Sequence, residues 1–176
     1  MHPCLTGAFC ALLFVSLGAQ ARMASFTAVL NGAQVIGGGD PTATGQAWIT
    51  IDHDLNHLEY EISFTGLGNG FDTLVAEHIH EGVAGTTGRA LFSLNVSGLS
   101  GHGRFKGGFT GFPATLRITE ATASQYYIDL HSEMFPNGAI RGQLTAVPEP
   151  GSLALLLAGV VGIAGWRRWP AARQLR

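Results

Sequence analysis

Cysteine is nearly absent from this sequence. The two cysteines, Cys4 and Cys10, lie within the first ten residues, which we expect to belong to a signal peptide. The remaining chain therefore has no thiol with which to form a disulfide. An exported domain without disulfides must be held together by its hydrophobic core or by a metal ion. Residues 22–147 are numerous enough for one domain with a sizeable core.

Positive charge is also scarce between the two ends of the chain. Residues 22–147 carry six Lys and Arg against eleven Asp and Glu, a net charge of −5 with histidine neutral. No basic block interrupts this mildly acidic composition. We therefore expect no nucleic-acid partner.

The motifs of common catalytic sites are missing as well. The chain has no Gly-x-Ser-x-Gly nucleophile elbow. The glycine-rich stretch Gly37–Gly39 is followed by neither a lysine nor a helix start, which predicts a flexible loop and not a phosphate-binding loop. The sequence favours a non-enzymatic domain and leaves the question of catalysis open.

The N-terminal segment has the pattern of an export signal. The stretch from Leu5 to Leu17 is mostly apolar, and Ala19-Gln20-Ala21 is a small-x-small cleavage pattern. We predict a signal peptide over residues 1–21, cleaved after Ala21, with cleavage after Ala24 as the alternative.

The C-terminal segment, residues 147–176, contains a second apolar run. Gly151 to Trp166 is sixteen residues, about 24 Å as a helix, whereas a bilayer core is about 30 Å thick. The run predicts a short transmembrane helix, with its following arginines on the cytoplasmic side. The alternative is a buried C-terminal helix of a soluble domain.

This segment resembles the PEP-CTERM sorting signal of Gram-negative bacteria. The resemblance is carried by three features in order, namely Pro148-Glu149-Pro150, the apolar span, and the basic pair Arg167-Arg168. It implies export, transient retention in the inner membrane, and cleavage near Pro148 by an exosortase-type enzyme. It also implies delivery to the cell surface or to a polysaccharide-rich extracellular matrix.

Short strands separated by glycine-rich turns are predicted between the two signals, over residues 22–146. Apolar residues alternate with polar residues from Leu58 to Phe64 and from Ala47 to Ile51, which predicts a hairpin with a loop over residues 52–56. Further strands are predicted at Phe26–Asn31, Thr73–His80, Arg89–Val96, Arg104–Thr110, Ala114–Thr119, Tyr126–His131 and Ala139–Ala146. The number and spacing of these strands indicate an all-β antiparallel sandwich or barrel.

Three histidines form the candidate metal site. In a strand, His78 and His80 project to the same face, with alpha carbons about 6.6 Å apart. His131 is expected to face outward, because Ile128 and Leu130 of its strand should face the core. Three imidazoles suit copper or zinc. The alternative is that His78 and His80 form local hydrogen bonds while His131 lies elsewhere.

The domain resembles the CHRD domain, a module named in chordin and found in many exported bacterial proteins. The resemblance is carried by His78-Ile79-His80 with Gly85 and Gly88, by the runs Tyr127–His131 and Pro136–Leu144, and by Leu30–Gln34. It implies an immunoglobulin-like β-sandwich without an established biochemical activity. A weaker resemblance, carried by His78–Gly82, is to the Greek-key sandwich of copper/zinc superoxide dismutases.

Arg141 is the remaining candidate site residue. It would either bind an anion, such as a substrate carboxylate, or have a structural role. The structural alternative is an ion pair with Asp129 or Glu133 that pins the last strand.

Two functions therefore compete at this stage. The first is a binding or structural module at the cell surface or in the matrix, with an exopolysaccharide or a surface protein as partner. The alternative is a copper- or zinc-binding domain, with a redox-related role, that uses His78, His80 and His131.

Overall fold

The described strands form one curled antiparallel sheet. The computed structural model describes residues 23–111, 118–148 and 158–162. The strands are β1 Met23–Asn31, β2 Thr44–Asp52, β3 His57–Thr65, β4 Leu74–Glu81, β5 Arg89–Ser93, β6 His102–Thr110, β7 Tyr126–Ser132, β8 Ile140–Gln143 and β9 Thr145–Val147. Short 3-10 turns occupy Gly32–Gln34, Leu67–Gly70 and Ala123–Gln125. The all-β prediction is confirmed.

The strand order explains how the sheet closes around a core. Neighbouring strands follow the order β5-β4-β7-β8-β1-β2-β3-β6, and β9 pairs with β1. The two strands at the ends of this order, β5 and β6, approach each other. The ring centroids of Phe92 on β5 and Phe109 on β6 are 5.0 Å apart. The sheet therefore forms a half-barrel. Its assignment to a Greek-key topology of the immunoglobulin or superoxide dismutase type stays a prediction.

The predicted hairpin of β2 and β3 is present in the expected register. Ala47 lies opposite Ile62, and Ile51 opposite Leu58, with all four side chains buried. Asn56 adopts a φ of 49° in the turn, a left-handed conformation that asparagine tolerates better than most residues. Alternation along these strands thus puts one face in the core and the other in water.

Two strands end earlier than the sequence predicts. β5 stops at Ser93 and does not reach Val96, because Asn95 takes a φ of 56° that extended backbone cannot accommodate. The segment predicted as one strand over Ala139–Ala146 divides at Leu144 into β8, which pairs with β7, and β9, which pairs with β1. The strand predicted at Ala114–Thr119 lies mostly outside the described residues.

The core fills the inner face of the sheet. Its largest side chains with almost no exposed surface are Phe26, Leu30, Ile49, Ile51, Leu58, Ile62, Leu67, Leu74, Ile79, Ile118, Ile128 and Leu130. Burying each such side chain stabilises the fold by about 1.5–3 kcal/mol. The domain therefore has the sizeable core that a region of this length can form.

The two terminal signals fall largely outside the described residues. This applies to the predicted signal peptide over residues 1–21 and to Glu149, Pro150, Arg167 and Arg168 of the sorting signal. Pro148 directly follows β9, and residues 158–162 are helical. In the described ranges, no helix is both long enough and apolar enough to cross a membrane.

Candidate metal centre

Strands β4 and β7 bring the three predicted histidines together on the outer face of the sheet. The antiparallel register places His78 directly opposite Asp129 and Ala76 opposite His131. His80 lies two residues from His78, on the same face. The neighbours Ile79, Ile128 and Leu130 are buried on the inner face. The expected outward orientation of all three histidines is confirmed.

Asp129 lies at the centre of this histidine–aspartate cluster, which comprises His78, His80, Asp129 and His131. One potential ligand atom from each residue lies within 4.8 Å of the others. Asp129 Oδ1 is 3.2 Å from both His80 Nε2 and His131 Nε2, and 3.8 Å from His78 Nδ1. His78 Nδ1 is 3.2 Å from His131 Nε2.

Backbone carbonyls fix the direction of two of the rings. His80 Nδ1 lies 3.0 Å from the carbonyl oxygen of Gly88, and His131 Nδ1 lies 2.9 Å from that of Pro136. Because a carbonyl oxygen only accepts hydrogen bonds, each Nδ1 carries the proton. In the neutral rings, both Nε2 atoms then direct a lone pair towards Asp129. Histidines that bind metals are usually oriented in this way.

This arrangement brings several acceptors close together. Hydrogen bonding to His131, acting against desolvation, lowers the pKa of Asp129 to about 2, so its carboxylate is ionised. His80 Nε2 is buried and has no hydrogen-bond partner, because its 3.2 Å approach to Asp129 is not aligned for a hydrogen bond. Facing acceptors repel each other unless a proton or a cation lies between them.

The pKa values of the histidines show which rings hold a proton that relieves this repulsion. Hydrogen bonding to Asp129 raises the pKa of His131. Burial acts to lower the pKa of His80, but the interaction with Asp129 outweighs it and raises the value. Burial and the charge of His131 lower the pKa of His78. The cluster therefore holds protons on two of its three rings more tightly than free histidine does.

The spacing of the cluster also fits a metal ion. Four ligand atoms at the corners of a tetrahedron with bonds of about 2.0–2.1 Å are roughly 3.3 Å apart. The shortest separations in the cluster are 3.2 Å, and the widest are within 4.8 Å. The His78 side chain is 27% exposed, whereas those of His80 and His131 are 13% and 15% exposed. His78 is thus the most solvent-accessible of the three imidazoles.

The β4–β5 loop, residues 82–88, covers one side of the cluster. Tyr127 stacks on His80 with ring centroids 4.7 Å apart, and its hydroxyl accepts a hydrogen bond from the Gly88 amide. The Arg141 guanidinium lies 3.4 Å from the centroid of the Tyr127 ring. It donates to the carbonyl oxygens of Thr86 and Val83 at 2.7 and 3.2 Å.

The contacts of Arg141 are thus directed to this loop and to Tyr127. It lies opposite Asp129 across β7 and β8, yet within the described residues its guanidinium forms an ion pair with neither Asp129 nor Glu133. The residue is buried, with 4% of its surface exposed, and two of its guanidinium nitrogens donate to loop carbonyls. The geometry favours the structural role over anion binding, although the partners differ from those expected.

The sequence analysis did not include two acidic residues, Asp129 and Glu77, in the candidate metal site. Asp129 could have been found, because it shares a strand face with His131. Glu77 could not, because alternation places it beside Ile79 on the inner face, where an acid is unexpected. Glu77 is fully buried, accepts a hydrogen bond from the Val96 amide through Oε1, and has no partner for Oε2. Burial raises its pKa and favours the protonated form.

The sequence is similar to segments of two chordins. It is 29% identical over 110 residues to chordin of Xenopus laevis, and 31% identical over 113 residues to chordin of Danio rerio. Each match covers 58% of this chain and 11% of the chordin. The chain thus spans about a tenth of the length of these relatives. No solved structure matches it.

Two family models match consecutive parts of the chain. The CHRD domain matches residues 26–144, which include β2 to β8 and all of β1 except its first three residues, whereas β9 lies outside the match. The PEP-CTERM protein-sorting motif matches residues 146–168. This motif indicates an exported protein of a Gram-negative bacterium that passes through the membrane and is processed by an exosortase-type enzyme. The chain belongs to the CHRD domain family and carries a PEP-CTERM sorting motif directly after that domain.

Proposed function

We propose that this protein is an exported surface or matrix domain that binds one copper or zinc ion through His78, His80, Asp129 and His131. The observation that carries the proposal is the convergence of acceptors. Two ring nitrogens lie 3.2 Å from one carboxylate oxygen, and the opposite nitrogens of both rings lie close to carbonyls. A divalent cation among these atoms would replace repulsion by coordination.

The ligand set selects the class of metal. Three imidazoles and one carboxylate suit zinc or copper, whereas calcium and magnesium prefer sites made of oxygen alone. A bound ion would also supply the partner that the buried Nε2 of His80 lacks. The bound species would be neutral imidazoles and an ionised Asp129, so metal binding would release protons from the cluster.

The proposed destination follows from the sorting motif. We place a signal peptide at residues 1–21, the β-domain at 22–146, and the sorting segment with a short membrane helix at 147–176. Exosortase-type processing near Pro148 would release the β-domain to the cell surface or the matrix. The inner membrane would then be a temporary location.

Metal analysis of the full chain tests the proposed site. The protein is purified without a polyhistidine tag, dialysed against zinc or copper, and analysed for bound metal; we expect about one ion per chain. The variant His78→Ala/His80→Ala/His131→Ala should bind none, and Asp129→Asn should weaken binding at least about tenfold, because losing even an outer-shell partner of a metal ligand costs about that much.

Two histidines outside the cluster provide a matched control. His57→Ala/His102→Ala removes imidazoles that lie on β3 and β6, and should leave the stoichiometry unchanged. Added zinc or copper should raise the melting temperature of this control but not that of the triple variant. The proposal would be refuted if the wild-type chain bound no metal and its melting temperature did not change on adding zinc or copper.

Attachment to an exopolysaccharide or a surface protein is a second candidate function. It is supported by the outer face of β2, β3 and β6, which is open to solvent and presents Trp48 with 47% of its surface exposed. Deleting the gene should then reduce matrix cohesion or cell attachment, and the wild-type gene should restore them. Unchanged matrix and attachment would count against this function without affecting the metal proposal.

A further inference from the structure

Three cavities lie on the outer face of β2, β3 and β6, away from the histidine–aspartate cluster. The largest, about 530 Å³, is lined by Trp48, Thr50, Glu59, Tyr60, Glu61, Lys106 and Gly107. A second, about 380 Å³, is lined by Val29, Thr44, Gly45, Gln46, Ser63, Phe64 and Thr65. A third, about 360 Å³, is lined by Glu61, Arg104, Phe105 and Lys106. We call this surface the Trp48 face.

The cavities follow one another along the same strands. The first two occupy successive parts of the β2–β3 pair, from Thr50 to Thr44 on one strand and from Glu59 to Thr65 on the other. Six residues of extended chain span about 20 Å. On β6, the residue opposite Glu59 is Gly108. Because glycine has no side chain, the surface beside Glu59 is open in the direction across the strands. The Trp48 face is therefore elongated and suits a linear ligand.

The strand register places Trp48 among polar side chains. Trp48 lies between Thr27 on β1 and Glu61 on β3, and Glu61 lies opposite Lys106 on β6. Gln46 and Thr50 are two residues away along β2 and point to the same face. The surface thus combines one large flat ring with hydroxyl, amide, carboxylate and ammonium groups.

The charges of this face argue against a charged polymer. Glu59 and Glu61 are balanced by Arg104 and Lys106, and Arg104 is paired with Glu61. A polyanion would meet the two carboxylates, and a polycation would meet the two cations. The face offers no single-sign field to either.

The apolar content argues against a protein partner. Trp48 and Val29 are the exposed large apolar residues among those lining the cavities, at 47% and 64% exposure. The core of a stable protein interface is depleted of charge and more apolar than this face. A sugar ring, by contrast, has one apolar CH face and a rim of hydroxyls, which complements a tryptophan ring surrounded by donors and acceptors.

We propose that the Trp48 face binds a neutral polysaccharide, with Trp48 stacking on a sugar ring and the side chains of Gln46, Thr50, Glu59 and Lys106 bonding its hydroxyls. This inference deepens the proposed attachment function and rests on the proposed delivery to the surface or matrix. It is independent of the metal centre, since the Trp48 face and the cluster lie on different strands.

Affinity electrophoresis of the full chain in mild detergent tests this proposal. The gels contain dextran, a soluble mixed-linkage β-glucan, galactomannan, the exopolysaccharide of the producing cells, or polyanionic alginate. We expect retardation by at least one neutral polysaccharide. Trp48→Ala should weaken it about tenfold or more, as truncating a central tryptophan of an interface commonly costs 1.4 kcal/mol or more.

Phe71 provides a matched control, since it is 89% exposed and does not line the three cavities. Phe71→Ala should bind like the wild type. Melting temperatures of both variants confirm that they fold. The proposal is overturned if no neutral polysaccharide retards the protein, if only alginate does, or if Trp48→Ala binds normally. Trp48-dependent retention on surface proteins alone would assign the face to a protein partner and also overturn it.

The histidine variants separate this test from the metal test. The triple alanine variant of His78, His80 and His131 should lose metal and keep its retardation. Trp48→Ala should show the reverse. Failure of glycan binding with intact matrix attachment would reject the ligand class while leaving the attachment function standing.

Discussion

The outer faces of the two halves of the sheet differ in how much of their surface is exposed to solvent. In the closed half, formed by β4, β7 and β8, strand β7 is buried at every position except His131. In the open half, formed by β2, β3 and β6, strand β3 alternates between buried and solvent-accessible residues throughout. Both halves contribute the same kind of apolar inner face. The difference arises from what covers the outside.

The loop over residues 82–88 accounts for this difference. Arg141, Tyr127 and Gln143 bond its backbone from the outer face of the closed half. The covered side chains sit in a medium of lower polarity, where electrostatic interactions are stronger than in water. Side chains on the outer face of the open half remain hydrated. One sheet thus provides a site for perturbed acids and bases on one half and a broad recognition surface on the other.

Removing a cationic side chain should destabilise the closed half much more than the open half, and this is the largest effect that we expect. Arg141→Ala removes the guanidinium donor to the carbonyl oxygen of Thr86 and one of the donors to that of Val83, and should cost roughly 1–3 kcal/mol of unfolding free energy. Lys106→Ala on the open half should change it by less than about 0.5 kcal/mol. Urea denaturation of the metal-free chain measures both. Similar costs for the two variants would contradict the division into halves.

Removing a single hydroxyl group from the closed half should have a smaller effect on the unfolding free energy. Tyr127→Phe keeps the ring between His80 and Arg141 but removes the acceptor of the Gly88 amide. We expect a loss of about 1 kcal/mol, together with faster amide exchange of the loop residues. Trp48→Phe, a matched aromatic change on the open half, should leave both stability and exchange unchanged. Unaltered exchange at Gly88 in Tyr127→Phe would show that this bond does not hold the loop.

The pH should act on the closed half with opposite signs for the metal-free and the metal-bound protein. The raised pKa values of His80 and His131 contribute stability that is complete below about 6.5 and is lost as the pH rises through the folded values. The lowered pKa of His78 opposes this trend in part. Metal must displace the same protons, so its affinity rises with pH.

The measurement is the shift in melting temperature on adding zinc. It should be larger at pH 8 than at pH 6, while the metal-free protein itself should be less stable at pH 8. The triple alanine variant should lose both effects. A zinc-induced shift that decreases with pH would show that these rings do not bind the ion.

The smallest effect should come from the ion pair on the open half. Arg104 and Glu61 are paired, but their side chains are 72% and 36% exposed. Exposed pairs contribute between zero and about 1 kcal/mol. Arg104→Ala should therefore change the unfolding free energy by no more than about 0.5 kcal/mol, with little dependence on salt. A cost comparable with that of Arg141→Ala would mean that the open half is also held from outside.

Local patterns in the sequence predicted the open half better than the closed half. Alternation identified β2 and β3, and the turn between them followed from residues 52–56. Alternation also placed His78, His80 and His131 on outer faces. It could not show that β4 pairs with β7, because 53 residues separate His78 from His131 and no local signal sets the register of such distant strands.

The same limit explains why the sequence does not predict the loop contacts of Arg141. A buried cation suggests a carboxylate, and Asp129 is indeed its neighbour across the strands. The carboxylate is instead engaged by His131 and flanked by His80. Loop carbonyls and an aromatic ring satisfy the guanidinium. Which of several polar groups a side chain contacts depends on the loop path, and glycine-rich sequence does not specify that path.

The pairing of β9 with β1 has a consequence for how the protein leaves the membrane. Ser25 lies opposite Val147, so the strand that follows the predicted signal peptide and the strand in which the sorting motif begins run side by side. In the proposed arrangement, the signal peptide and the sorting segment would therefore both leave the domain at the same end. Cleavage of both would leave the new amino end and the new carboxyl end of the domain as neighbours.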